Sequence, residues 1–312
     1  MKLSMATSSL TCYIDAGIDE KTTLQAMKDS GFTCLDYEIT DAMLEGDYEQ
    51  RAAEKKAMLE ELGLTTPQGH APMYNPLDPP EHIDLIDLYT RTLKFCKVIG
   101  IPQVVIHPGA FKGNTREEFF EKNVAFFRQL IPAAEETGVG VLIENIGNYA
   151  DPHCLWTGAD LREMLDRVDH PLFTACWDVG HANHFWPEHG NQYDSIVALG
   201  DKLTALHVHE NCGYFEEPRK HHRIDMHAVP YSSVHSPLSF DAVLQGLKDI
   251  DYKGTFSFEC LFPAKKGQAS FVYKGEQVTR LQMLPLSLWT KANAVVYEMG
   301  RYMLETYDMF EE

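Results

Sequence analysis

Six apolar runs in this chain break off at residues that can ligate a metal or carry a proton. Residues 141–143 lead into Glu144-Asn145, 173–177 into Asp178-Val179-Gly180-His181, and 203–206 into His207-Val208-His209-Glu210. The other three stop at His70, His107 and Glu259. If Glu144, Asp178, His207 and Glu259 face one centre, three carboxylates crowd a charge that only a cation or shared protons can neutralise. Such an oxygen-rich set with one imidazole suits Mn²⁺, Co²⁺ or Zn²⁺. The competing arrangement pairs each acid with its own Lys or Arg, but basic residues are scarce beside these runs. Gly180 is expected to permit a tight turn that folds His181 back towards the same centre.

Convergence of this kind requires strands lying side by side with their ends in a ring. Strand-like segments fall at 3–9, 34–39, up to His70, 104–107, 141–146, 173–178, 203–209 and 255–261. Helical spacing falls between and after them, at 19–30, 48–62, 80–99, 115–137, 158–168, 192–200, 240–249 and 287–306, and Pro132 is expected to kink or interrupt the fourth. Eight alternations with no strand left over predict an α/β fold closed as a single (β/α)8 barrel. An open doubly wound sheet is second, but no GxGxxG turn follows the first strand. The chain reads as one domain over 1–312, with long βα-loops at about 211–236 and 262–285 after strands seven and eight. Loops there overhang the mouth and serve as lids or oligomer contacts.

Composition narrows the functions. Lys plus Arg number 27 against 46 Asp plus Glu, so 27 − 46 leaves a net charge of −19. That charge disfavours a nucleic-acid partner, whose binding depends on neutralising phosphates. No run of about 18 apolar residues suggests a membrane span, and the N-terminus lacks the apolar core of a signal peptide. Seven cysteines, odd in number and without a CxxC pair, are expected to be reduced. The expectation is a soluble cytoplasmic protein.

Five motifs in order, Glu144-Asn145, Asp178-Val179-Gly180-His181, His207-Val208-His209-Glu210, Asp225-Met226-His227 and the segment from Tyr252 to Glu259, resemble the xylose-isomerase-like TIM barrels. That superfamily includes sugar isomerases, sugar epimerases and endonuclease IV. The resemblance covers about residues 65–260. It implies that Glu144, Asp178, His207 and Glu259 bind a divalent metal, with His181 contacting substrate or a second metal. The endonuclease IV pattern would add His70, His107, Asp225 and His227 as ligands of a multi-zinc site. A homo-oligomer is also implied. One departure stands out: the family usually shows a Pro-Gly-x-Gly run after the Asp-x-His element, whereas this chain reads Ala228-Val229-Pro230-Tyr231-Ser232-Ser233. The substrate loop is therefore expected to be reshaped, and no particular sugar specificity carries over.

The expected function is a metal-dependent isomerase or epimerase acting on a sugar or sugar derivative through a metal-bound enediolate. Glu144 and Glu259, from opposed walls, would exchange protons with the carbon between two metal-bound oxygens. His209 and Arg223 are candidate substrate contacts. Alternatives are an inositol- or shikimate-type dehydratase or lyase, an endonuclease IV-like zinc phosphodiesterase, and a binding protein without turnover.

Overall fold

Eight parallel strands share one sheet: β1 (Leu3–Ala6), β2 (Cys34–Glu38), β3 (Thr65–His70), β4 (Gln103–Ile106), β5 (Gly140–Glu144), β6 (Phe173–Asp178), β7 (Leu203–His207) and β8 (Phe256–Phe258). Neighbours follow chain order from β1 to β7, and β8 pairs with β1. Val208, just past β7, bridges Phe258 in parallel, which closes the ring into a barrel. This computed structural model describes all residues except 112, 147–154, 185–190, 214, 218–219, 223–224, 233–235, 262–267 and 282.

Strand alternation decides what lies on each side of the wall. Leu3, Met5, Val104, Ile106, Val141, Ile143, Phe256 and Phe258 belong to the main core beneath the helices. Between them, Val105, Leu142, Cys176 and Ala205 make a separate small cluster in the lumen. The rest of the lumen is polar and buried, with Ser4, Asp36, Gln68 and Ser257. Gln68 spans it, donating to Asp36 Oδ2 at 2.8 Å and to the Leu206 carbonyl at 3.2 Å.

Helices start where side chains can satisfy their first N–H groups. Asp19 caps Glu20–Asp29, and Asp84 caps Leu85–Ile99. Thr115 with Glu118, and Thr157 with Asp160, form capping boxes on Arg116–Gln129 and Gly158–Val168. The helix expected from residue 80 therefore begins at Leu85. The stretch 115–137 divides at Leu130, and Pro132 sits in the first turn of Ile131–Thr137, where a missing N–H costs nothing.

Both long loops hold structure that hydrophobic period did not reveal. Phe215–Glu217 pairs with Lys220–His222 in the first, and Gln268–Tyr273 with Glu276–Leu281 in the second, both antiparallel. The second hairpin turns at Lys274-Gly275, both at positive φ, the conformation a tight two-residue hairpin loop requires. The chain closes with the helix Leu286–Thr306. Cys34, Cys96, Cys176 and Cys260 are free thiols, and among the described residues no helix is long and apolar enough to cross a membrane.

Candidate metal centre

The inward phase of each strand continues past its end into the mouth. His107 follows Val105 by two residues, Glu144 follows Leu142, Asp178 follows Cys176, and His207 follows Ala205. Three groups of ligand-type atoms result, each within 4.8 Å: His70, His107 and Glu144; Glu144, Asp178, His207 and Glu259; and His181, His209, Asp225 and His227. Metal–oxygen and metal–nitrogen bonds of about 2.0–2.2 Å place ligand atoms up to roughly 4.4 Å apart, so sub-ångström shifts would close each group on an ion. In the middle group, His207 Nδ1 lies between Glu144 Oε1 at 2.9 Å and Glu259 Oε2 at 3.2 Å. Ten of the eleven residues proposed from sequence therefore lie together; Arg223 falls outside the described residues.

The imidazoles are oriented by what their other nitrogen touches. A carbonyl oxygen only accepts, so the nitrogen facing one must carry the proton. Nδ1 of His70 donates to Ala71 O at 2.8 Å, that of His181 to Asn145 O at 3.0 Å, and that of His227 to Glu259 O at 2.8 Å. Each thereby keeps its Nε2 towards the mouth, where a metal-binding histidine offers its lone pair once that nitrogen is deprotonated. His207 is held the other way round, its Nε2 2.8 Å from Asp36 Oδ2 and its Nδ1 facing the carboxylates. Glu144 Oε2 sits 2.7 Å from His107 Nε2 yet makes no hydrogen bond, and Asp225 Oδ1 is likewise buried without one. Buried carboxylate oxygens left without a hydrogen bond, among imidazole nitrogens, fit a cation.

Charge supports the same fit. Asp36, Glu144 and Asp178 are at most 1% exposed, and removing a carboxylate from water costs several kcal/mol unless it is compensated. No Lys or Arg pairs with them among the described residues; every ion-pair partner they have is a histidine. Separate pairing of each acid with a basic residue is thus not what the fold builds. Burial pushes Glu144 up, but His207 and His107 outweigh it and hold the carboxyl well below the usual range. Burial also raises Asp178, and His181 and His209 bring it down. Conversely, burial depresses His227, while Glu259 and Asp225 lift it to about 9.

Sequence reasoning did not single out Asp36 or Gln68. Asp36 is an acid in the middle of the apolar run Cys34-Leu35-Asp36-Tyr37, and that misplaced charge was the available signal. Asn145 also gains a role: its side chain accepts from Asp178 N at 2.7 Å and donates to Asp178 O at 2.8 Å, tying the end of β5 to the end of β6.

Gly180 works differently from the expected tight turn. It lies within a short helix, Val179–Asn183, that Asp178 caps, and its φ is not positive. A Cβ there would stand 2.0 Å from Cε1 of His209, so glycine is needed for close approach. Gly180→Ala should displace His209, lower stability by about 1–3 kcal/mol and reduce metal uptake. Thermal unfolding and metal analysis check this; unchanged values would show that the ring has room.

Comparison with known proteins agrees with the fold. The family model described as xylose isomerase-like TIM barrel matches residues 24–272. An uncharacterized protein of Methanocaldococcus jannaschii is 28% identical over 162 residues, 50% of this chain and 50% of that protein. A probable endonuclease 4 of Shouchella clausii is 26% identical over 155 residues, covering 48% and 52%. An L-ribulose 3-epimerase of Methylomonas sp. is 25% identical over 152 residues, covering 48% and 46%. The chain spans about half the length of these relatives. Among solved structures, D-psicose 3-epimerase from Clostridium cellulolyticum H10 with D-tagatose superposes with a TM-score of 0.70 at 17% identity, over 97% of this chain and 99% of that one. The IolI protein with a bound zinc atom gives 0.67 at 17% identity over 100% of both. Because the matched segment contains all three ligand groups and the strands close as that architecture requires, the chain belongs to the xylose isomerase-like TIM barrel family.

Proposed function

We propose that this protein is a divalent-metal-dependent isomerase or epimerase of a sugar or sugar derivative. The carrying observation is the middle group, in which Glu144 and Glu259 approach His207 Nδ1 from β5 and from the end of β8. Glu144, Asp178, His207 and Glu259 would hold the ion; Mn²⁺, Co²⁺ and Zn²⁺ all suit these donors. A bound cation supplies Lewis acidity for a carbonyl and its neighbouring hydroxyl. Glu144 and Glu259 would remove and return the proton at the carbon between those oxygens. Asp36 fixes the His207 ring, and the flanking histidines would orient substrate hydroxyls. The similar sugar epimerases support this reading as precedents for the fold.

A second reading, a multi-metal phosphodiesterase, has its own observation in the two flanking groups, His70–His107–Glu144 and His181–His209–Asp225–His227. The net charge of −19 weighs against a nucleic-acid substrate.

Two measurements on purified protein separate these readings. Incubation with a panel of ketoses in D₂O should place deuterium on the carbon beside the carbonyl. Elemental analysis should find metal that depends on Glu259. Dehydration without epimer formation would indicate a lyase. Three zinc ions per chain with cleavage of an abasic-site duplex, and no exchange on any ketose, would replace the proposal.

A further inference from the structure

The final helix carries a wider apolar arc than the barrel covers. Its inner side, including Trp289, Val296, Gly300 and Met303, is buried. On its outer side Leu288, Val295 and Tyr302 are 45%, 60% and 69% exposed. They fall one heptad apart (295 − 288 = 302 − 295 = 7), with half-buried Ala292 and Met299 between them. Alternating steps of four and three residues make a helix-pairing seam. Beside the seam runs a groove of about 1010 Å³, whose rim adds exposed Met226, Tyr231, Leu261 and Leu284. Most exposed large apolar residues of the described surface gather here, a concentration that a monomer's surface seldom carries.

We propose that this face is the two-fold interface of a homodimer, with the Leu286–Thr306 helices of two copies packed antiparallel about Val295. Charge selects the occupant. Lys291 and Glu298 lie exposed along the flank away from the groove, also seven residues apart, and neither has an ion-pair partner among the described residues. In an antiparallel pair like flanks meet, so Lys291 of each copy faces Glu298 of the other, twice. The same placement sets Leu288 against Tyr302 and Val295 against itself. A parallel pair would lay the charged flank on the groove side of its neighbour, where Ala292, Val296 and Met299 offer no charge. Self-complementarity of this kind is what a two-fold axis requires.

Sedimentation of the full chain at micromolar concentration should give a mass near twice 35.4 kDa. Val295→Glu should yield a monomer with unchanged circular dichroism. Lys291→Glu and Glu298→Lys should each weaken self-association about tenfold or more, because every facing pair becomes like-charged. Mixing those two variants should restore a dimer, since both facing pairs are then opposite in sign. A monomeric wild type, a dimer indifferent to Val295→Glu, or a mixture no tighter than its components would overturn the proposal.

Discussion

Glu144→Gln is expected to lower turnover by roughly a thousandfold or more, the scale of a lost acid–base group, and to reduce bound metal in the same protein. The size follows from position. Glu144 belongs to two ligand groups at once. Its Oε1 stands 2.9 Å from His207 Nδ1, and its Oε2 2.7 Å from His107 Nε2. Gln keeps the shape but removes the charge and turns N–H groups towards a space lined by ligand atoms. Substitution of Glu117, an exposed acid paired with Arg167, should change neither quantity. Parallel measurement of kcat and metal content decides the matter; full turnover in Glu144→Gln would remove the carboxylate from the chemistry.

The second large effect concerns metal and pH together. In the metal-free chain, burial depresses His181 and His207, but Asp178 and Asp225 around the first, and Cys176, Glu259 and Glu144 around the second, leave both well above the ordinary imidazole value. His227 is raised to about 9. A raised pKa means that the protonated ring stabilises the fold. That contribution is whole below the unfolded value of about 6.5 and is lost as pH climbs through about 9. The depressed carboxylates stay ionised across this window and contribute no opposing slope. A metal would bind the deprotonated rings, so its affinity would grow as pH rises. Unfolding temperatures of loaded and chelated protein should therefore diverge between pH 6.5 and 9. At a thousandfold excess over Kd an ion adds about 4 kcal/mol, on the order of 10 °C for a chain of this size. A gap that stays flat or narrows would show that the rings do not bind the ion.

What could be read from sequence followed strand periodicity. Glu144, Asp178, His207 and Glu259 announce themselves because each ends an apolar run in the inward phase, and helix ends follow from Asp19, Thr115 and Thr157 as caps. The positions of His70 and His107 follow from the same rule. What stayed hidden had no local signature. Asp36 acts on a ring 171 residues away, and Gln68 on a carbonyl 138 residues away. The need for glycine at 180 is set by His209, on another strand's extension. The hairpin at Lys274-Gly275 carries turn chemistry, but a lone two-stranded element has no helix or third strand to impose a one-sided apolar pattern.

The lumen floor and the ligand ring share one reading frame along each strand. Val105, Leu142, Cys176 and Ala205 fill the barrel, and two residues later the same phase delivers His107, Glu144, Asp178 and His207. Inserting or deleting one residue within β5 would exchange Glu144 for a core residue and Leu142 for an outward neighbour, losing packing and chemistry in one step. The ring can therefore change by substitution but not by sliding. The segments 211–236 and 262–285 carry no such frame and can vary in length at little cost to the barrel. New substrates on this scaffold would be acquired there, above a floor that holds its register.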